Sequence, residues 1–246
     1  MRKTILFLLI LLTLCTACMT GCSKKWDTAE YTDVKTAAES GTPLDWESIH
    51  ARNKDICAWI YIPGTKINDP IYCNEDDSKY ADYRLYIQSG FNQADFSDPA
   101  TVVYGPLTYD GSLFGALQDI FLEDGSLDEK SPIAVCTENG TRYYKAFAAS
   151  LFNSKHLLHT YGRLENIQGR EAFLEDLKNY HVLSHQWDDS VQITEDEPLL
   201  ILSCHTTQNK YLRFIVVAKP VDQTADTLPA EYVQTHKKII RAENPG

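Results

Sequence analysis

Two apolar runs near the end of the chain restrict its fold more than anything before them. Leu199-Leu200-Ile201-Leu202-Ser203-Cys204 follows the polar Glu195-Asp196-Glu197-Pro198, and Leu212-Arg213-Phe214-Ile215-Val216-Val217-Ala218 follows the polar linker 205–211. Continuous apolar runs of this length read as strands buried on both faces. The short linker predicts that they pair antiparallel, which brings Cys204 at the end of one strand near Arg213 at the start of the next. A guanidinium beside a thiol lowers the thiol's pKa or holds a developing oxyanion. A buried free cysteine beside a surface arginine fits the same spacing.

Upstream, short strand-like segments alternate with turn signals. Trp59 to Ile62 ends at Pro63-Gly64, and Thr101 to Tyr104 ends at Gly105. Ile133 to Cys136 and Arg142 to Leu151 flank Glu138-Asn139-Gly140 as a hairpin does. Helical spacing occurs at Leu113, Leu117, Ile120 and Phe121, and again at Phe173, Leu174 and Leu177 within 170–180. Pro43 to His50 reads as a short helix carrying Leu44, Trp46 and Ile49, or as an extended arm with Trp46 in a groove. Many short strands with few helices predict a mostly β fold, a closed antiparallel β-barrel.

Three separated stretches resemble class B sortases, the cysteine transpeptidases that attach surface proteins to Gram-positive cell walls. Leu200-Ile201-Leu202-Ser203-Cys204 with Arg213 on the next strand resembles their Thr-Leu-x-Thr-Cys…Arg signature, with Leu200 in place of the first threonine. The run from Trp59-Ile60-Tyr61-Ile62-Pro63-Gly64-Thr65 to Pro70-Ile71 resembles the opening of their domain. Tyr104-Gly105-Pro106-Leu107-Thr108-Tyr109-Asp110-Gly111-Ser112-Leu113-Phe114 resembles a block in which the family carries its catalytic histidine, and that position is Pro106 here. The resemblance spans about residues 50–221. It implies a sortase barrel with a short N-terminal helix and an extra helix between two late strands.

The resemblance also implies roles. Cys204 attacks a carbonyl of a sorting peptide to form a thioester, Arg213 supports the oxyanion or positions substrate, and Ser203 and Tyr104 bind substrate. A cell-wall amine resolves the thioester. Pro106 has no titratable group and cannot exchange protons with the leaving or entering amine. His205 adjoins Cys204; in a continuing strand it points to the opposite face, and if the strand ends at Cys204 it could swing round to the thiol. His156, His159, His181 and His185 lie around the extra helix, where a loop could bring one to the cleft; His50 and His236 carry no such argument. Asp110 follows the histidine position, and turn formation with Gly111 accounts for it. A working transpeptidase or peptidase with a displaced base, an inactive pseudo-sortase that binds peptides or partner proteins, and a structural or interaction lipoprotein that has kept only the barrel are the three resulting expectations.

With 23% charged and 43% hydrophobic residues the chain suits one globular domain, and a net charge of −11 disfavours nucleic acid as a partner. Arg2-Lys3 before the apolar Ile5–Leu14 reads as an export signal, and Met19-Thr20-Gly21-Cys22 resembles a lipobox with Cys22 lipidated. Cys15 and Cys18 extend the apolar stretch and keep an uncleaved signal anchor open. Either way the domain is expected on the extracellular face of the membrane. The organisation expected is signal 1–22, spacer 23–42, sortase-like domain 43–221 and polar tail 222–246, within which Tyr232 to Ile240 could form a terminal helix. Cys57, Cys73 and Cys136 have no zinc-like spacing, and an exported chain permits a disulfide, for instance Cys57 with Cys73. No metal or organic cofactor is expected.

Overall fold

The computed structural model describes residues 28–74, 83–123, 127, 132–180, 185–206, 209 and 211–221. The chain falls into two compact units, Met1–Thr32 and Asp33–Gly246. In the first, the described part is a 3-10 turn at Thr28–Tyr31 and the opening residue of a helix. The expected signal with Cys22 and the tail 222–246 with its helix lie outside the described residues.

The second unit is a β-barrel. In chain order its strands are β1 Ile56–Tyr61, β2 Asn68–Asn74, β3 Leu85–Gln88, β4 Ala100–Gly105 and β5 Ile133–Thr137. They continue with β6 Gly140–Asn153, β7 His185–Trp187, β8 Leu199–His205 and β9 Leu212–Val221. The sheet order is β5-β1-β2-β3-β4-β8-β9-β6-β7. A further β5–β6 pairing closes eight strands into a barrel and leaves β7 as a flap on β6.

The barrel is closed as expected, but it is not wholly antiparallel. β2 pairs β3, and β4 pairs β8, in parallel. A parallel pair needs a crossover, and the connection from β4 to β8 contains the whole of β5, β6, β7 and the extra helix.

Residues from all eight barrel strands fill the interior, including Ile60, Ile71, Leu85, Val103, Val135, Ala149, Leu202 and Val216. A second core lies outside the barrel. There Val102, Phe147, Ile201 and Val217 pack against Leu157, Leu164, Phe173 and Leu177 of the segment between β6 and β7. β4, β8 and β9 are therefore covered on both faces, which is why their sequences do not alternate.

Besides a single turn at Leu157–Thr160, three of the described helices frame this barrel: α1 Thr32–Ser40, α2 Trp46–Arg52 and α3 Ile167–Asn179. α2 is a helix and not an extended arm, because Asp45 caps it by accepting a bond from the Ser48 N–H at 3.0 Å. α1 corrects the reading of 23–42 as spacer. Val34 and Ala38 are buried, and Asn68 Nδ2 donates to Lys35 O at 3.2 Å and to Glu39 Oε1 at 3.0 Å. The Trp59 indole holds the other side of that amide, donating to Asn68 Oδ1 at 2.7 Å. Lys35 Nζ reaches the buried Asp69 at 3.5 Å.

α3 is the expected extra helix, and it carries a fully buried Arg170. The guanidinium donates to Glu197 O at 2.9 Å and Glu195 O at 2.8 Å, with Pro99 O at 3.4 Å. One side chain therefore ties α3 to the starts of both β4 and β8, the two strands that end at the site. The stretch with helical spacing from Leu113 begins as a turn and becomes helical at Leu117, ending in a π-helical turn at Asp119–Glu123.

Candidate active site

The ends of β4 and β8 and the start of β9 meet at one mouth of the barrel. Gly105 of β4 is in register with Cys204 of β8, and Tyr104 with Ser203. Across β8 and β9, Cys204 faces Phe214 and His205 faces Arg213. Side chains alternate along a strand, so this register divides the candidate residues between two faces. Cys204 joins Leu200, Leu202 and Phe214 in the barrel interior. Ser203, Arg213 and Tyr104 take the outer face, and His205 Nε2 reaches Arg213 there.

The approach of Cys204 to Arg213 is therefore only partly realised. They are neighbours across the strand pair, and the guanidinium's charge acts to lower the thiol's pKa. Burial dominates, however. Cys204 is 1% exposed, and desolvation pushes its pKa up to about 12, against Arg213 and the Phe214 backbone, which favour the thiolate. At neutral pH such a thiol is ionised to only about one part in 10⁵.

The loop after β4 packs against Gly105, the residue in register with Cys204. A Cβ on Gly105 would lie 2.5 Å from Leu85 Cδ2 and 2.5 Å from Phe114 Cδ2, so only glycine admits those side chains against the residue paired with Cys204. Phe114 itself is fully buried. Its loop is tied by a Leu107–Leu113 bridge and by Asp110, whose carboxylate accepts from Ser112 N at 3.0 Å and Ser112 Oγ at 2.6 Å. Those bonds hold the Asp110 pKa below its ordinary value, and Gly111 supplies the positive φ of 76°. Asp110 thus serves the turn, as expected. Pro106 opens this loop, half-buried.

On the outer face Arg213 organises a polar and aromatic surface. Its Nη1 donates to Ser203 Oγ at 3.4 Å, its Nη2 lies 3.4 Å from His205 Nε2, and its guanidinium carbon sits 5.4 Å from the centre of the Tyr104 ring. Tyr104 stacks on Tyr86 at 5.5 Å. His156, from the segment before α3, lies 6.5 Å from Tyr104 and 4.8 Å from Phe91 between ring centres. Its Nδ1 accepts the His159 N–H at 3.1 Å, so the neutral ring carries its proton on Nε2. Burial first, then His159 and Arg213, lower the His156 pKa.

Sequence reasoning grouped His156 with other histidines near the extra helix but could not single it out; the aromatic wall of Tyr86 and Phe91 was not anticipated. Of the other histidines, His159 and His185 are exposed. His50 is engaged elsewhere, with Ile56 O at 2.9 Å and Glu138 at 3.2 Å. His181 and His236 lie outside the described residues.

No family model matches the chain. Sortase B of Staphylococcus aureus is 26% identical over 188 residues, which cover 71% of this chain and 73% of that protein. Among solved structures, a Staphylococcus aureus sortase B–substrate complex superposes with a TM-score of 0.64 at 22% identity, covering 82% of this chain and 99% of that one. Clostridium perfringens sortase B gives 0.60 at 19% identity, covering 72% and 100%. A Streptococcus pyogenes class B sortase involved in pilus biogenesis gives 0.60 at 20%, covering 72% and 98%. The chain has the sortase fold, and its likeness to sortase B in sequence supports assignment to the class B sortases.

Proposed function

Taking the chain as a class B sortase homologue, we propose that it is a sortase-type cysteine transpeptidase with slow turnover, acting through Cys204 on an extended sorting peptide. The Cys204 thiolate attacks the scissile carbonyl, a C–S bond forms, and the C–N bond breaks with release of an amine that must take up a proton. An entering amine then displaces the thiol and gives up a proton. The observation that carries this reading is the placement of Cys204 and Arg213 on paired strands at the mouth of a sortase barrel.

Two features slow the reaction. Cys204, 1% exposed in the barrel interior, must become accessible before it can attack, and Pro106 supplies no acid or base, a loss of roughly 10²–10⁴-fold. The outer surface formed by Arg213, Ser203, Tyr104 and His156 suits an extended peptide, with Arg213 and Ser203 offering polar contacts and Tyr104 an aromatic face. That a sortase B has been solved with a triglycine supports an amine of similar kind as the acceptor. Cys22 lipidation or an uncleaved anchor holds the domain at the extracellular face of the membrane in this reading.

A second reading is favoured by the same thiol and by Pro106: a pseudo-sortase that binds peptide and never acylates. Fluorogenic sorting-motif peptides offered to wild type, Cys204→Ala and Pro106→His separate the two. Slow wild-type cleavage, lost in Cys204→Ala and raised at least tenfold in Pro106→His, supports the transpeptidase. Peptide binding with no cleavage by any variant supports the pseudo-sortase. Neither binding nor cleavage contradicts both.

A further inference from the structure

Away from β8 in the sheet order, Cys57 on β1 and Cys73 on β2 lie close together. The β1–β2 ladder runs antiparallel with Ile56 opposite Tyr72 and Ala58 opposite Ile71, so Cys57 is the extra residue of a bulge. A bulge re-aims the side chain of its extra residue. Here it turns Cys57 to the same core cluster against which Cys73 packs. The Cys73 N–H bonds to Asp55 O at 2.8 Å, which fixes the two strands beside one another at this point. Both thiols are half-buried and unoxidised, and both line one surface cavity of about 240 Å³ with His50, Lys54, Asp95 and Glu138 on its walls. Both are less buried than Cys204, although the Cys57 thiol donates to Ile71 O at 3.6 Å.

We propose that Cys57 and Cys73 are a redox-active dithiol, a modification site where a small disulfide of the glutathione type is reduced and an intramolecular Cys57–Cys73 disulfide forms. The thiolate of one cysteine attacks the small disulfide, forming a mixed disulfide and releasing one small thiol. The second cysteine, as thiolate, attacks the protein sulfur of that mixed disulfide and releases the other small thiol. In sum, two protein thiols and one disulfide give one protein disulfide and two small thiols, with both protons passing to the products. The ladder sets Cys73 beside Asp55 and Cys57 in the adjoining bulge, an offset placement that still brings the two side chains into hydrogen-bonding contact. Each thiol opposes ionisation of its neighbour. The hydrogen bond with Cys73, followed by burial, raises the Cys57 pKa well above its ordinary value, so exchange quickens as pH rises. This site stands apart from Cys204 and does not depend on the transpeptidase reading.

The test is incubation of the full-length chain with oxidised glutathione, followed by intact mass and peptide mapping. Wild type is expected to lose two hydrogens and yield a linked Cys57–Cys73 peptide. Cys57→Ala and Cys73→Ala are each expected to keep one glutathionyl group on the remaining cysteine, since nothing resolves the mixed disulfide. Closing a loop of this size is expected to raise the wild-type Tm by roughly 5–10 °C, an increase reversed by reductant. Unchanged wild-type thiols, stable glutathione adducts on both wild-type cysteines, or a linked peptide joining Cys136 or Cys204 instead would each overturn the proposal.

Discussion

The barrel holds two thiol sites that differ in nearly every physical respect. Around Cys204, glycine, phenylalanine and leucine close the interior, and the cysteine the sequence motif singles out is the one shut away. Around Cys57 and Cys73, a bulge and a cavity leave two half-buried cysteines close to each other. Spacing in a motif says which residue a family uses. Burial decides whether it can react in a given conformation.

The contrast is sharpest in alkylation. With native protein near pH 8, a pKa of about 12 leaves Cys204 with roughly 10³-fold less thiolate than an ordinary cysteine. Iodoacetamide labelling read by peptide mass is expected to leave Cys204 unmodified long after Cys73 has reacted, and to equalise in denaturant. Equal native rates would break the comparison.

Phe114→Ala tests what closes the mouth. Removing a fully buried phenylalanine is expected to cost about 3–5 kcal/mol in denaturant titration. It is also expected to speed Cys204 labelling without changing Cys73. If labelling of Cys204 stays unchanged in the folded variant, Phe114 is not its cover. Gly105→Ala asks a smaller question at the same place. A methyl at 2.5 Å from Leu85 and Phe114 is expected to cost about 1–3 kcal/mol, seen as a lowered midpoint.

The smallest effects belong to the α1 dock, which braces the barrel that carries both sites. The Arg52 guanidinium holds Asp33 down to about 2, so this pair's contribution is present above pH 3.8 and is lost as pH falls through about 2. Asp33 is largely exposed, which keeps the contribution within about 1 kcal/mol. Asp69 has the opposite sign: burial raises its pKa despite Lys35, so stability declines as pH rises from 3.8 through the raised value. Arg52→Ala is expected to flatten the acid limb below pH 4 in thermal melts. Lys35→Met is expected to steepen the loss on the other side.

Much of this molecule was legible in the sequence for a physical reason. Val102, Ile201 and Val217 lie in runs that must be covered on both faces, so β4, β8 and β9 could be read without knowing their partners. The hairpin at Glu138-Asn139-Gly140 and the apolar face of α3 are likewise local signals. Which strands run parallel is not local, and neither parallel pair was read. α1 shows only Val34, Ala37 and Ala38 at helical spacing amid polar residues, too little to tell it from a spacer. Arg170 reads as solvent-facing until the carbonyls of Glu195 and Glu197 are placed around it. The division of Cys204 and Arg213 between two faces depends on register, where a shift of one residue reverses the result.

Acyl capture at Cys204 tests the central claim most directly. Wild type and Pro106→His would be incubated with sorting-motif peptides, denatured in acid and mapped by mass. A peptide acyl group on Cys204 is expected in both, accumulating faster in Pro106→His and absent from Cys204→Ala. Bound peptide with no acyl group on Cys204 in any variant would contradict a transpeptidase working through this thiol.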